Sequence, residues 1–109
     1  MIKTGKIIVI GDEPLSLIAA AAGVDYYVFK HDCSELREFI NKSIRQYDVV
    51  IYLSTIESEC LDLVEYMKKI HSEGVFLMIE HPMEGMRIDP REYYRNIARR
   101  ILGIEVEID

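Results

Sequence analysis

Apolar positions fall in short dense runs, separated by longer stretches in which they recur every three or four residues, the mark of strands alternating with helices. The first run, Ile7 to Ile10, is four consecutive β-branched residues that lead into Gly11-Asp12-Glu13-Pro14. An unbroken run predicts a strand covered on both faces. Pro14 suits the first helical turn, where its missing N–H has no acceptor, and Asp12 or Glu13 can cap or complement the positive helix end. This helix runs through the alanines at 19 to 22 and stops at Gly23. Tyr26 to Phe29 is the second strand, and Asp32-Cys33-Ser34-Glu35 has the spacing of a helix start. Leu36, Phe39, Ile40 and Ile44 then mark one helical face. The run DVVIYL is a third strand, followed by a capping-box spacing, Ser54-Thr55-Ile56-Glu57. It predicts one helix with Cys60, Leu61, Val64, Met67 and Ile70 facing inward and Gly74 at its end. VFLMI is the fourth strand and stops at Glu80-His81-Pro82.

Continuous apolar strands separated by helical patterns indicate βαβ units and right-handed crossovers. The expected fold is a single small α/β domain: a four-stranded parallel sheet flanked by helices, Rossmann-like or receiver-like, in the order 2-1-3-4, plus a C-terminal helix. The sheet domain covers 1–82. Prolines, a glycine and methionines mark 83–90 as a loop or hinge. Residues 91–109 hold an amphipathic helix, Arg91 to Leu102, ended by Gly103, and a strand-like alternation, IEVEI, at 104–108.

Length and composition agree with one folded unit: 109 residues, half of them apolar and 29% charged. No apolar run approaches the roughly 20 residues that span a bilayer, and the short N-terminal run reaches a glycine and acids too soon for a signal peptide. A cytoplasmic protein without a membrane span is the expectation. The net charge of −6 argues against a surface built for nucleic acid. Charge is unevenly placed, however, with five arginines between Arg87 and Arg100 against Asp89 and Glu92. Cys33 and Cys60 form no C-x-x-C pair and read as two reduced thiols, Cys33 the more reactive because it starts a helix.

Several chemistries lack their residues. The first turn has neither G-x-G-x-x-G nor G-x-x-x-x-G-K-[ST], so no phosphate cradle is expected. Asp12 and Glu13 invite comparison with response-regulator receiver domains, but Leu53-Ser54-Thr55 stands where a receiver carries its phosphate-accepting aspartate. His31 and His81 adjoin Asp32 and Glu80, yet neighbouring strand residues point to opposite faces, so neither pair makes a ligand set. Ser54 has no nucleophile elbow around it. The seven tyrosines form no base-stacking string and read as packing residues. No catalytic, cofactor or metal residues are assigned.

The C-terminal segment is more distinctive. On a helix Arg91, Arg95 and Arg99 form one basic stripe, and Tyr94, Ile97, Ala98 and Ile101 an adjacent apolar one. Such a helix can lie on its own sheet, bind nucleic acid or dock on a protein partner; arginine beside tyrosine favours a protein. With the opening strand into Gly11-Asp12, the helix closing at Ala22-Gly23, Pro82 after the fourth strand, and YYRNIARRILGIEVEI at 93–108, the chain resembles the F subunit of V/A-type ATP synthases. It differs from that family in the alanine run 19–22. The resemblance covers nearly the whole chain, and Arg95, Arg99, Arg100, Gly103, Ile104, Val106 and Ile108 match the family's C-terminal pattern. It implies a non-catalytic rotor subunit without cofactor. Its partners would be the coiled-coil D subunit of the central stalk and the catalytic A/B head, with a movable C-terminal segment that regulates coupling or hydrolysis. The expected partner contacts are Arg91, Arg95, Ile97, Arg99, Arg100 and Ile101. The other reading is a receiver-like or flavodoxin-like regulatory module with a ligand at the strand ends.

Overall fold

The computed structural model describes residues 5–81 and 90–101. Strands β1 (Ile7–Gly11), β2 (Asp25–Val28), β3 (Val49–Leu53) and β4 (Val75–Ile79) form one all-parallel sheet in the order β2-β1-β3-β4, as the strand pattern predicts. Between and after them come α1 (Glu13–Ala21), α2 (Cys33–Ser43) with a 3-10 turn at Ile44–Gln46, α3 (Ser54–Glu59), α4 (Leu63–Ile70) and α5 (Pro90–Ile101). The predicted loop at 83–90, apart from Pro90, and the strand-like ending at 104–108 lie outside the described residues. So do the side chains of Ile97, Arg100 and Ile101.

The register divides the core into two layers. Ile8 and Ile10 stand beside Val50 and Tyr52, and Ile10 and Tyr52 pack with Leu36, Ile40, Ile56, Leu63, Val64 and Met67 from α2, α3 and α4. Residues of the opposite parity, Val9, Gly11, Ile51 and Leu53, face the other way because side chains alternate along a strand. On that side α1 lies so close to β1 that a Cβ on Gly11 would come within 2.7 Å of Leu15 Cδ2. The last helix, α5, packs on α1. Helices therefore cover both faces, which explains why the central strands are apolar without alternation. At the edges the cover thins, leaving Tyr26 on β2 and Val75 and Met78 on β4 exposed.

Helix starts follow local chemistry. The Asp12 carboxylate accepts from Leu15 N–H at 3.1 Å and caps α1, with Pro14 in the first turn. Asp32 does the same for α2 through Glu35 N–H at 3.0 Å. Each satisfies an amide that has no partner within its helix. At the far end of α1 the chain reverses at Gly23, whose φ of 73° is the left-handed conformation that suits glycine.

Three expectations need correction. The stretch after β3 is not one helix: it breaks at 60–62, where Asp62 has a φ of 68°, and α4 begins afresh at Leu63. Leu61, predicted to face inward, is 78% exposed, while Leu63 takes the buried position. Ser54 does not cap. Leu53 is the N-cap residue of α3, and Ser54 Oγ accepts instead from the backbone N–H of His81 at 3.0 Å, joining the ends of β3 and β4. Finally, Cys33 and Cys60 are not thiols but a disulfide, with an S–S distance of 2.02 Å and Cα atoms 5.6 Å apart. The physical cause is topological: α2 and α3 follow neighbouring crossovers onto the same face, which brings the start of one beside the end of the other.

Candidate partner-binding site on the C-terminal helix

The best-defined constellation of polar groups lies where the carboxyl ends of β1, β3 and β4 meet the start of α5. Asp12 is at its centre. While one carboxylate oxygen caps α1, Oδ2 accepts from the Tyr94 hydroxyl at 2.9 Å, across 82 residues of sequence. His81 Nε2 lies 3.3 Å from the same oxygen. Beside it, the Tyr93 hydroxyl donates to the carbonyl of Glu80 at 2.8 Å, and the rings of Tyr93 and Tyr94 meet edge to face with centroids 5.4 Å apart. The two tyrosines thus tie the first turn of α5 to the ends of β4 and β1.

Tyr94 is completely buried. Burial, then the Asp12 carboxylate and its hydrogen bond, then Tyr93, push its phenol well above the usual tyrosine range, so the neutral donor is strongly favoured. The apolar stripe predicted for α5 therefore contributes at least Tyr94 to the domain core. On the basic stripe, Arg91 and Arg99 are exposed, whereas Arg95 is half-buried and its Nε has no hydrogen-bond partner among the described residues. Of the predicted contacts, these three arginines are on one helix docked against α1.

Both Asp12 oxygens already have partners, Glu13 is exposed on the first turn of α1, and β3 ends in Leu53 followed by Ser54. The histidines are dispersed: His31 pairs with Glu59 at 2.7 Å, His71 Nε2 lies 2.5 Å from the carbonyl of Tyr47, and His81 meets Asp12. Among the described residues no group of three His, Cys, Asp or Glu side chains could hold a metal ion. None of the described helices is long and apolar enough to cross a membrane.

Sequence reasoning missed Tyr94 as the docking residue and Asp12 as its acceptor. One signal was available, because Asp12 stands at the carboxyl end of a central strand, where α/β folds place their ligand sites. Together the fold and this site define a small parallel α/β domain whose last helix is docked through a buried tyrosine and carries exposed arginines. The chain matches no protein-family model and no curated protein.

Proposed function

We propose that the protein is a non-catalytic central-stalk subunit of a V/A-type ATP synthase, which binds a coiled-coil stalk subunit and regulates coupling or ATP hydrolysis. The observation that carries this reading is the docked α5, with Tyr94 held by Asp12 and Arg91 and Arg99 exposed. Such a helix is suited to recognition rather than chemistry. Its arginines offer orientation and on-rate toward an acidic helical surface, and the apolar stripe is the source of affinity. In this role the protein is cytoplasmic and reaches the membrane only through the complex, and the A/B head is its second partner. The resemblance at 93–108 supports this choice of assembly.

The test is titration of the full chain against a recombinant coiled-coil stalk subunit, beside an Arg91→Glu/Arg99→Glu variant. Saturable one-to-one binding, weakened at least about tenfold by the charge reversal, is the expected result. No binding by a folded wild-type chain overturns the stalk role. Equal binding by both proteins moves the interface away from α5.

A further inference from the structure

On the face opposite α5, the two cysteines sit in an unusual setting. Cys33 is the first residue of α2, and Cys60 ends α3 with only 4% of its surface exposed. Two residues before Cys33, His31 has a φ of 64°; two residues after Cys60, Asp62 has a φ of 68°. Both are left-handed without being glycine, and such residues cluster where the surrounding structure imposes them. His31 bridges to Glu59 at 2.7 Å, and the Glu59 carbonyl lies 3.6 Å from Cys33 Sγ. An open recess of about 220 Å³ is lined by Cys33, Arg37, Glu59, Cys60 and Leu61, so the disulfide faces a space that a small molecule can enter.

The break between α3 and α4 runs against its own sequence. Cys60, Leu61, Val64, Met67 and Ile70 have the spacing of one continuous helix from Ser54, yet the chain turns at 60–62 and leaves Leu61 78% exposed. The covalent tie at the turn is the disulfide. Weaker contacts, the Arg37 guanidinium 4.5 Å over the Tyr66 ring and the Tyr66 hydroxyl on Asn41, hold α4 to α2 further along.

We propose that Cys33–Cys60 is a thiol–disulfide exchange site for a small or protein-borne dithiol, and that its state sets the α3–α4 joint. Bonded, it holds the turn at 60–62; open, it lets Ser54–Ile70 become one helix. In the exchange a thiolate of the dithiol attacks the Sγ of Cys33, the less buried of the two residues, and the Cys33–Cys60 bond breaks with release of Cys60 as a thiolate. The second thiolate of the dithiol then attacks its own mixed-disulfide sulfur, and Cys33 leaves as a thiolate at the N-terminus of α2, where negative charge is favoured. The protein gains two electrons, the dithiol loses two as it closes to a disulfide, and two protons pass to the cysteines. A disulfide of the same class reverses the reaction. This site does not depend on the proposed stalk role.

The experiment uses the full chain in native buffer with dithiothreitol, alkylation by iodoacetamide read by mass, and amide hydrogen exchange. Two alkylations without denaturant are expected. The amides of Leu61 and Asp62, which donate no hydrogen bond to the described backbone in the disulfide form, should then exchange at least about tenfold more slowly as helical bonds form. A disulfide that opens only after denaturant is added overturns the proposal. Opening that leaves these amides unchanged, or that speeds exchange throughout the chain, overturns it as well.

Discussion

Replacing Tyr94 with Phe keeps the buried ring and deletes only the hydroxyl that donates to Asp12 at 2.9 Å. A hydrogen bond to a charged group contributes about 1.5–3 kcal/mol. Asp12 is only partly buried and retains His81 at 3.3 Å, so the low end applies, about 1.5 kcal/mol. If α5 can open without the remainder of the domain, that is about tenfold in the docking equilibrium. Hydrogen exchange at 95–101 should therefore accelerate about tenfold, while β1 and β3 amides change less. A double-mutant cycle isolates the contact. Asp12→Ala also removes the α1 cap, worth about 1 kcal/mol, so that single change should cost about 2.5 kcal/mol in denaturant unfolding. The double variant should cost about the same, because the tyrosine's partner is already gone. Costs that add to within about 0.5 kcal/mol would refute the reasoning, since they would mean that the two groups do not act together.

Two further perturbations test other parts of the fold. Tyr27, raised to about 12 by burial and then by Glu35, and Tyr47 and Tyr94, raised by burial and their carboxylate partners, keep their protons in the folded state above the ordinary value of 10.0. The folded chain then binds more protons than the unfolded one, so stability is fully present below pH 10.0 and falls as the pH climbs through 12 and beyond. Urea midpoints across this range should fall, and phenolate absorbance should show late-titrating tyrosines; seven that ionise together near 10.0 would contradict it. Gly23→Ala should cost about 1 kcal/mol. Its φ is 73° and an added Cβ would meet nothing within 4 Å, so the whole effect is backbone conformation, and unchanged thermal unfolding would show that the turn relaxes freely.

The sheet was legible because its information is local. Runs such as Ile7 to Ile10 and Val49 to Leu53 define strands with both faces covered, and one reversal of direction after β2 sets the order. Asp12 and Asp32 were legible as helix starts for the same reason, since a cap needs only the next three residues. What failed was periodicity at the α3–α4 break. Cys60 and Leu61 both fit an inward stripe, and nothing within the stretch says that the chain turns at 60–62 or that Cys60 is bonded to Cys33. The pairing was within reach through handedness, because crossovers from β2 to β3 and from β3 to β4 move in the same direction and must lie on one face. Choosing among loop and helix-end positions on that face still requires distances, which spacing does not supply.

The C-terminal helix shows the same limit in a form that bears on function. Amphipathicity places Tyr94 on an apolar stripe, but the stripe alone does not decide between a partner and the chain's own α1. With Tyr94 fully buried and bonded to Asp12, a partner that reads the arginines can bind α5 as it lies, whereas one that reads the apolar stripe must first displace it. These two modes respond oppositely to the same substitution. In the displacement mode the free energy of undocking is subtracted from affinity, so Tyr94→Phe should tighten binding by up to about tenfold, the factor by which it weakens docking. In the surface mode, loosening the helix blurs the arginine array, and affinity should stay level or fall. An increase would identify Asp12–Tyr94 as the contact that the partner must break, while a decrease would mean that the docked helix is itself the recognition surface.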